Sequence, residues 1–288
     1  MMDGRRMKNG PPKKRIGIVG VPPLDIIQQL EMAGDTIFDL DEPHVKQDIE
    51  LASSYLPRVY CAILRTVVIN AISLKPDLIY IDVGPGKCDC ALHTATILTD
   101  ILPETTIIQT RNQDSTDFGT PLCTAQMPLL DKISAITRSV QSVKPHQERP
   151  ACLPTAGFWG VPPRDFSLLN LFPDTTHVFG WTRCMENKTP DNKAMEELIN
   201  PDIPMVFFAQ SFCAKTALAR HLANRHPHGL YVDCDVTAGN STKAKIQAFL
   251  ELAAEQKTAG RRRQSDFCLL SWVLCALCSL HLFLPSVL

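Results

Sequence analysis

Residues 15–25 read Arg-Ile-Gly-Ile-Val-Gly-Val-Pro-Pro-Leu-Asp, and the order returns at 157–165 as Gly-Phe-Trp-Gly-Val-Pro-Pro-Arg-Asp. In both places an apolar run with glycine precedes a rigid turn, and a helical pattern follows. Proline fixes φ and suits a first helical turn, where its missing N–H is not needed. Asp25 and Asp165 then fall in or near that turn, where the helix dipole favours a negative charge. Neither segment is a dinucleotide fingerprint, because no G-x-G-x-x-G follows the first strand. The loop Gly84-Pro85-Gly86-Lys87 likewise lacks the spacing of a Walker phosphate loop.

Outward from the first motif, short apolar runs alternate with helical patterns. Leu24–Met32 has helical spacing, Thr36–Leu40 is apolar, and Tyr60–Leu74 predicts a buried helix. Leu78–Val83 predicts a buried parallel strand, His93–Ile101 a helix, and Thr106–Thr110 a further strand. Such alternation indicates βαβ units around parallel sheets. After the second motif the pattern restarts, with Pro204–Ala209 as the counterpart of Leu78–Val83. Cysteines keep step as well: 27 residues separate Cys61 from Cys88, and 29 separate Cys184 from Cys213. A long-period repeat changes the fold assignment. The expected class is therefore α/β, with two similar Rossmann-like (flavodoxin-like) lobes of parallel sheet. The polar, proline-bearing stretch over 141–154 sets the boundary. The divisions are a disordered lead over 1–14, a first lobe over 15–145, a second over 146–258, and a basic linker with hydrophobic tail over 259–288.

The chain has 288 residues, 45% of them hydrophobic, and a net charge of -1, enough for two modest cores but with no electrostatic case for nucleic acid. Basic runs at Lys13–Arg15 and Arg261–Arg263 read as solvated segments. Eleven cysteines is an odd count without the spacing of a small disulfide scaffold, and no apolar secretory region opens the chain. A reducing, cytoplasmic setting follows, with thiols free for packing, metal or cluster.

Cys88 and Cys213 both lie just beyond the C-terminal end of an expected strand, the edge where open α/β sheets bind ligands. Cys61 opens a helix, where backbone N–H groups favour a thiolate. Three such thiolates suit a [4Fe–4S] cluster with one iron left for another ligand. Zinc is an alternative on the same set, with His93 or Cys184 as fourth ligand, although there are no C-x-x-C pairs. Cys123, Cys152 and Cys234 read as small core residues.

Phe208–Leu250 resembles the C-terminal segment of the 2-hydroxyacyl-CoA dehydratase and benzoyl-CoA reductase family. The likeness rests on Phe212-Cys213 after an apolar strand, the acidic turn Asp233 to Asp235, Gly239-Asn240, and Ala248-Phe249-Leu250-Glu251. Leu56-Pro57 through Cys61 to Arg65 is similar to the family's first cysteine helix, and Cys88-Asp89 to its second cysteine site. Arg149–Pro163 is similar to the start of its second lobe. The resemblance covers residues 15–255 and implies that Cys61, Cys88 and Cys213 ligate the cluster, with Cys90 a rival for the second place. Cys184 sits near a family cysteine not generally taken as a ligand. It further implies a lyase or oxidoreductase acting on an acyl-CoA thioester, whose carbonyl takes one electron from a separate ATP-dependent iron–sulfur activator to give a ketyl. A related subunit would complete the working unit. Gly239, Asn240 and Ser241 would form a helix start, with Ser241 as N-cap, facing sulfides or an anionic ligand.

The span 91–148 is shorter than in the family, which removes helical material that encloses substrate. The alternative is a non-catalytic electron relay or assembly partner. Phe267–Leu288 contains no Asp, Glu, Lys or Arg and is long enough to span a bilayer, with Arg261–Arg263 on the cytosolic flank. A membrane contact through this tail, a packed helix and an added extension all remain open.

Overall fold

The computed structural model describes residues 13–84, 86–189 and 192–256. Most of the lead, Arg261–Arg263 and the apolar stretch over 267–288 lie outside the described residues, and with them the expected tail anchor. Among the described residues no helix is long and apolar enough to cross a membrane.

Two four-stranded, all-parallel sheets interleaved with helices make two Rossmann-like lobes. The first lobe runs β1 (Arg15–Val19), α1 (Leu24–Ala33), β2 (Thr36–Asp39), α2 (Ala62–Leu74), β3 (Leu78–Asp82), α3 (Asp89–Ile101) and β4 (Thr106–Thr110). Two helices follow, α4 (Pro121–Thr124) and α5 (Leu129–Ser139). The second lobe runs β5 (Gly157–Gly160), β6 (His177–Phe179), α6 (Trp181–Glu186), α7 (Lys193–Glu196), β7 (Met205–Gln210), α8 (Lys215–Arg225) and β8 (Gly229–Cys234). A last helix, α9, occupies 240–256. The strand orders are β2-β1-β3-β4 and β6-β5-β7-β8, so each lobe has its switch point between its two central strands.

The opening motifs of the two lobes align at an offset of 140. Gly17 pairs with Ile79 as Gly157 pairs with Met205, and Gly20 and Gly160 both end their strands at positive φ, 79° and 151°. Only glycine holds these corners without cost. A Cβ on Gly20 would lie 2.6 Å from Lys87 Nζ, and one on Gly160 would overlap the Phe208 carbonyl oxygen. The motifs then diverge. Pro23 caps α1, whereas Asp165 caps a 3-10 turn, Phe166–Leu171, by accepting the Ser167 N–H at 2.9 Å.

Period-two alternation in the second sheet divides its aromatics between two cores. Phe158 and Phe208 stack with centroids 5.9 Å apart on the face toward the first lobe. Trp159 and Phe207 face α8 on the other side. The inner core is shared, since Ile18 and Ile27 of the first lobe belong to it together with Ile133, Phe158, Val232 and Ile246. Helices α4 and α5 pack against this second-lobe side: Lys132 donates to Ala125 O (2.8 Å) and Thr176 O (2.6 Å). Glu186 accepts the N–H groups of Leu122 (2.6 Å) and Cys123 (2.9 Å). The chain thus joins the second lobe's packing near residue 121, ahead of the boundary that composition suggests. A polar stretch marks exposure, whereas packing follows the apolar face of α5.

Candidate functional site

The C-terminal edges of the two sheets face each other across a cavity of about 440 Å³. Cys61, Cys88 and Cys213 all line it, together with Asp82, Lys87, Arg164, Trp181, Gln210 and Lys215. Each of the three cysteines stands at a helix start. Cys61 is the N-cap of α2, Cys88 the N-cap of α3, and Cys213 lies two residues before α8 with its carbonyl accepting the Thr216 N–H. Neither N-cap sulfur closes a side-chain capping bond.

Burial first, then the neighbouring Cys213 and Cys88 thiols, push the Cys61 thiol up to about 12, against the Leu64 and Ile63 N–H groups that favour the thiolate. Burial also raises Cys213, while the Lys215 N–H and ammonium pull the other way. These mutual effects place the sulfurs in one electrostatic neighbourhood. Among the described residues no three His, Cys, Asp or Glu side chains gather to hold a single metal ion. A cluster spreads its thiolates more widely than one ion does, and three thiols at helix starts around one cavity fit that donor set.

The other expected site residues lie elsewhere. Cys90 is the second residue of α3, is not a cavity-lining residue, and has its thiol raised by burial and then by Cys88. Cys184 is fully buried in the shared core, on α6, which follows β6 as α2 follows β2. Gly239, Asn240 and Ser241 are exposed and outside the cavity lining. Gly239 is the capping position, its carbonyl accepting the Lys243 N–H at 3.1 Å, and Ser241 falls inside the first turn. The expectation of Ser241 as N-cap is corrected by one helical start, two residues earlier. Cys123 and Cys234 are buried, and Cys152 is half-buried with its sulfur 3.7 Å from His177 Nε2.

The charged residues of the cleft were not singled out from the sequence, although a strand ending Ile-Asp offered a signal. Asp82 is 1% exposed. Its Oδ1 accepts the N–H groups of Asn112 (2.9 Å) and Gly84 (3.3 Å), while Oδ2 has no hydrogen-bond partner and stands 4.0 Å from Lys87 Nζ. The Thr110 hydroxyl stands close enough to favour the ionised carboxylate without closing a bond to it. Burial nevertheless raises Asp82, and it raises the nearby Asp39 and Asp41 as well. Lys87 and Lys215 lie over the Trp181 ring, 4.3 and 5.3 Å from its centroid, and Lys215 is paired with Glu196.

Arg164, also on the cavity lining, is fixed at its backbone, donating to Gln210 Oε1 (2.9 Å), and at Nε, donating to Thr66 Oγ1 (2.9 Å). The turn bearing Cys213 is strained, because Phe212 has φ 62° and is 54% exposed. Cys213 also borders a shallow outer groove along α8 with Arg220, His221 and Asn224.

No family model matches the chain, and no curated protein matches it. Among solved structures, the glycosyltransferase SnogD from Streptomyces nogalater aligns over 84% of this chain and 96% of that one, at 10% identity. Its TM-score is 0.17, at which the alignment carries no argument.

Proposed function

We propose that the interlobe cleft holds a [4Fe–4S] cluster on Cys61, Cys88 and Cys213, and that the chain reduces or dehydrates an acyl-CoA thioester. An ATP-dependent iron–sulfur activator would supply the electron, with a related subunit completing the unit. The observation that carries this reading is the meeting of three thiols, each at a helix start, on one cavity at the switch points of both sheets. A cluster bound there supplies single electrons. The chain's own residues bind, orient and exclude water: Trp181 gives an apolar wall, and Arg164 and Lys215 give cationic groups for an anionic ligand.

A relay without substrate chemistry is the second reading. It is favoured by Cys213, which borders both the cavity and the outer groove and so gives electrons a short way through.

Protein purified without oxygen is expected to carry about four irons with matching sulfide. Serine in place of Cys61, Cys88 or Cys213 is expected to lose iron, and the same change at Cys123 or Cys234 to keep it. Colourless protein with stoichiometric zinc, after anaerobic reconstitution, would falsify the cluster. Thioester-dependent change in the paramagnetic spectrum favours the enzyme. Fast reduction by a partner with no thioester binding favours the relay.

A further inference from the structure

The cleft is walled mostly by apolar side chains, and its charged groups are matched with one exception. On the first-lobe edge, Asp39 accepts the Asp41 N–H (3.0 Å), Asp41 the Gly20 N–H (2.8 Å), and Glu42 the Thr137 hydroxyl (2.5 Å). Burial raises both Asp39 and Asp41, so this edge carries less negative charge than its number of carboxyls suggests. Lys87 stands 4.0 Å from Asp82, and Lys215 is paired with Glu196.

Arg164 is the exception. Its backbone N–H is held by Gln210 and its Nε by Thr66. Among the described residues no carboxylate stands at ion-pair distance from it, and its two terminal nitrogens have no hydrogen-bond partner. Those nitrogens keep accessible surface, unlike Nε of Arg65, which is sealed in protein. Thr66 lies on α2 one turn after Ile63, a residue of the cavity wall, so the bond to Thr66 lays the guanidinium beside that wall. The adjacent acid is committed elsewhere. Asp165 accepts the N–H groups of Ser167 (2.9 Å) and Ala238 (3.0 Å) and lies 3.9 Å from Lys243. Arg164 occupies the motif position held by Leu24 in the first lobe, so the repeat itself does not require a cation there.

We propose that the cleft binds an amphiphilic monocarboxylic acid, with its carboxylate on the terminal nitrogens of Arg164 and its hydrocarbon body among Val19, Ile63, Leu64, Trp181, Met185 and Leu218. A planar guanidinium with both terminal groups free matches a carboxylate through two parallel hydrogen bonds. The apolar walls favour a hydrocarbon body over a hydroxylated one, and a cavity of about 440 Å³ is at the small end of ligand pockets. The inference rests on the cleft being the functional site, as proposed above, and not on the cluster.

Calorimetric titration of the full-length chain with hexanoate, octanoate and decanoate tests it. Acetate controls for the body, and octanamide and octylamine control for the charge. One member of the acid series is expected to bind about tenfold more tightly than any control. Arg164→Gln is expected to remove that preference while leaving the melting temperature near that of the parent. Should Arg164→Gln fail to fold, Arg164→Lys, which keeps the charge without the planar fork, is expected to weaken the acid and not octanamide. No binding by the series, equal binding of a control, or acid binding unchanged in the variant overturns the proposal.

Iron content and acetyl-CoA binding, measured on the same samples, keep the two readings apart. Iron with thioester binding but no acid binding removes only this inference. Acid binding without iron removes only the cluster.

Discussion

At the scale of single residues, the Cys61 thiol sets a pH dependence. Iron takes the thiolate, so a thiol raised to about 12, with Cys213 raised beside it, must surrender protons as metal binds. Apparent iron affinity is therefore expected to rise with pH, by up to about a hundredfold per unit from these two thiols, checked by competition with a chelator between pH 7 and 9. The sign for the empty fold is opposite. Because Cys61 holds its proton more firmly folded than the ordinary 9.0, metal-free protein is expected to lose stability as pH climbs from 9 towards 12. A denaturation series with Cys61→Ala as reference checks it. Cys88 and Cys213 stood out in the sequence because each follows a strand and precedes a helix, and Cys61 because it opens a helix. Asp82 and Arg164 did not, since the partners that hold them, Asn112 and Thr66, lie 30 and 98 residues away in the sequence.

Among the elements, the strand-to-helix corners carry the most strain. Gly160→Ala is expected to disrupt the second lobe, because the added methyl meets the Phe208 backbone rather than a movable side chain. Gly20→Ala meets the end of Lys87, which can swing away. Its cost is expected near the ~1–2 kcal/mol of a left-handed non-glycine residue, with a displaced Lys87 that shows as a changed cleft. Urea denaturation separates the two outcomes. Phe212→Gly is expected to gain about 1 kcal/mol by releasing the positive φ, provided the exposed ring contributes little packing. The βαβ alternation was readable because strands and helices differ in period. The exact start of α9 was not, as Gly239 and Ser241 both suit a cap and only the Gly239 carbonyl shows which one serves.

Over the whole molecule, α2 clasps the opposite lobe through consecutive residues. Arg65, 1% exposed in its side chain, pairs with Asp235, and Thr66 accepts from Arg164. Removing the acid in Asp235→Ala strands a buried guanidinium whose remaining carboxylate, on Glu50, is 3.6 Å away. The loss is expected to be about 2 kcal/mol, and the double change with Arg65→Leu to recover most of it. An additive double mutant would show the two residues uncoupled. The two-lobe plan was visible in the repeated motif, but the lobe boundary was not. The amphipathic pattern of α5 says that one face is buried without saying which sheet covers it, and the Lys132 bond to the Thr176 carbonyl sets it against the second lobe.

Cys213 and Ala214 line both the cleft and the outer groove, so only two short side chains stand between them. Permeability then becomes a property of α8's first turn. A small oxidant arriving from the groove is expected to meet Cys213 first, at a rate set by what fills the groove. Bulk added at the exposed Ala217, as in Ala217→Trp, is expected to slow peroxide modification of Cys213 while leaving the chain's thermodynamic stability unchanged. A rate that tracks global unfolding would show the wall to be sealed.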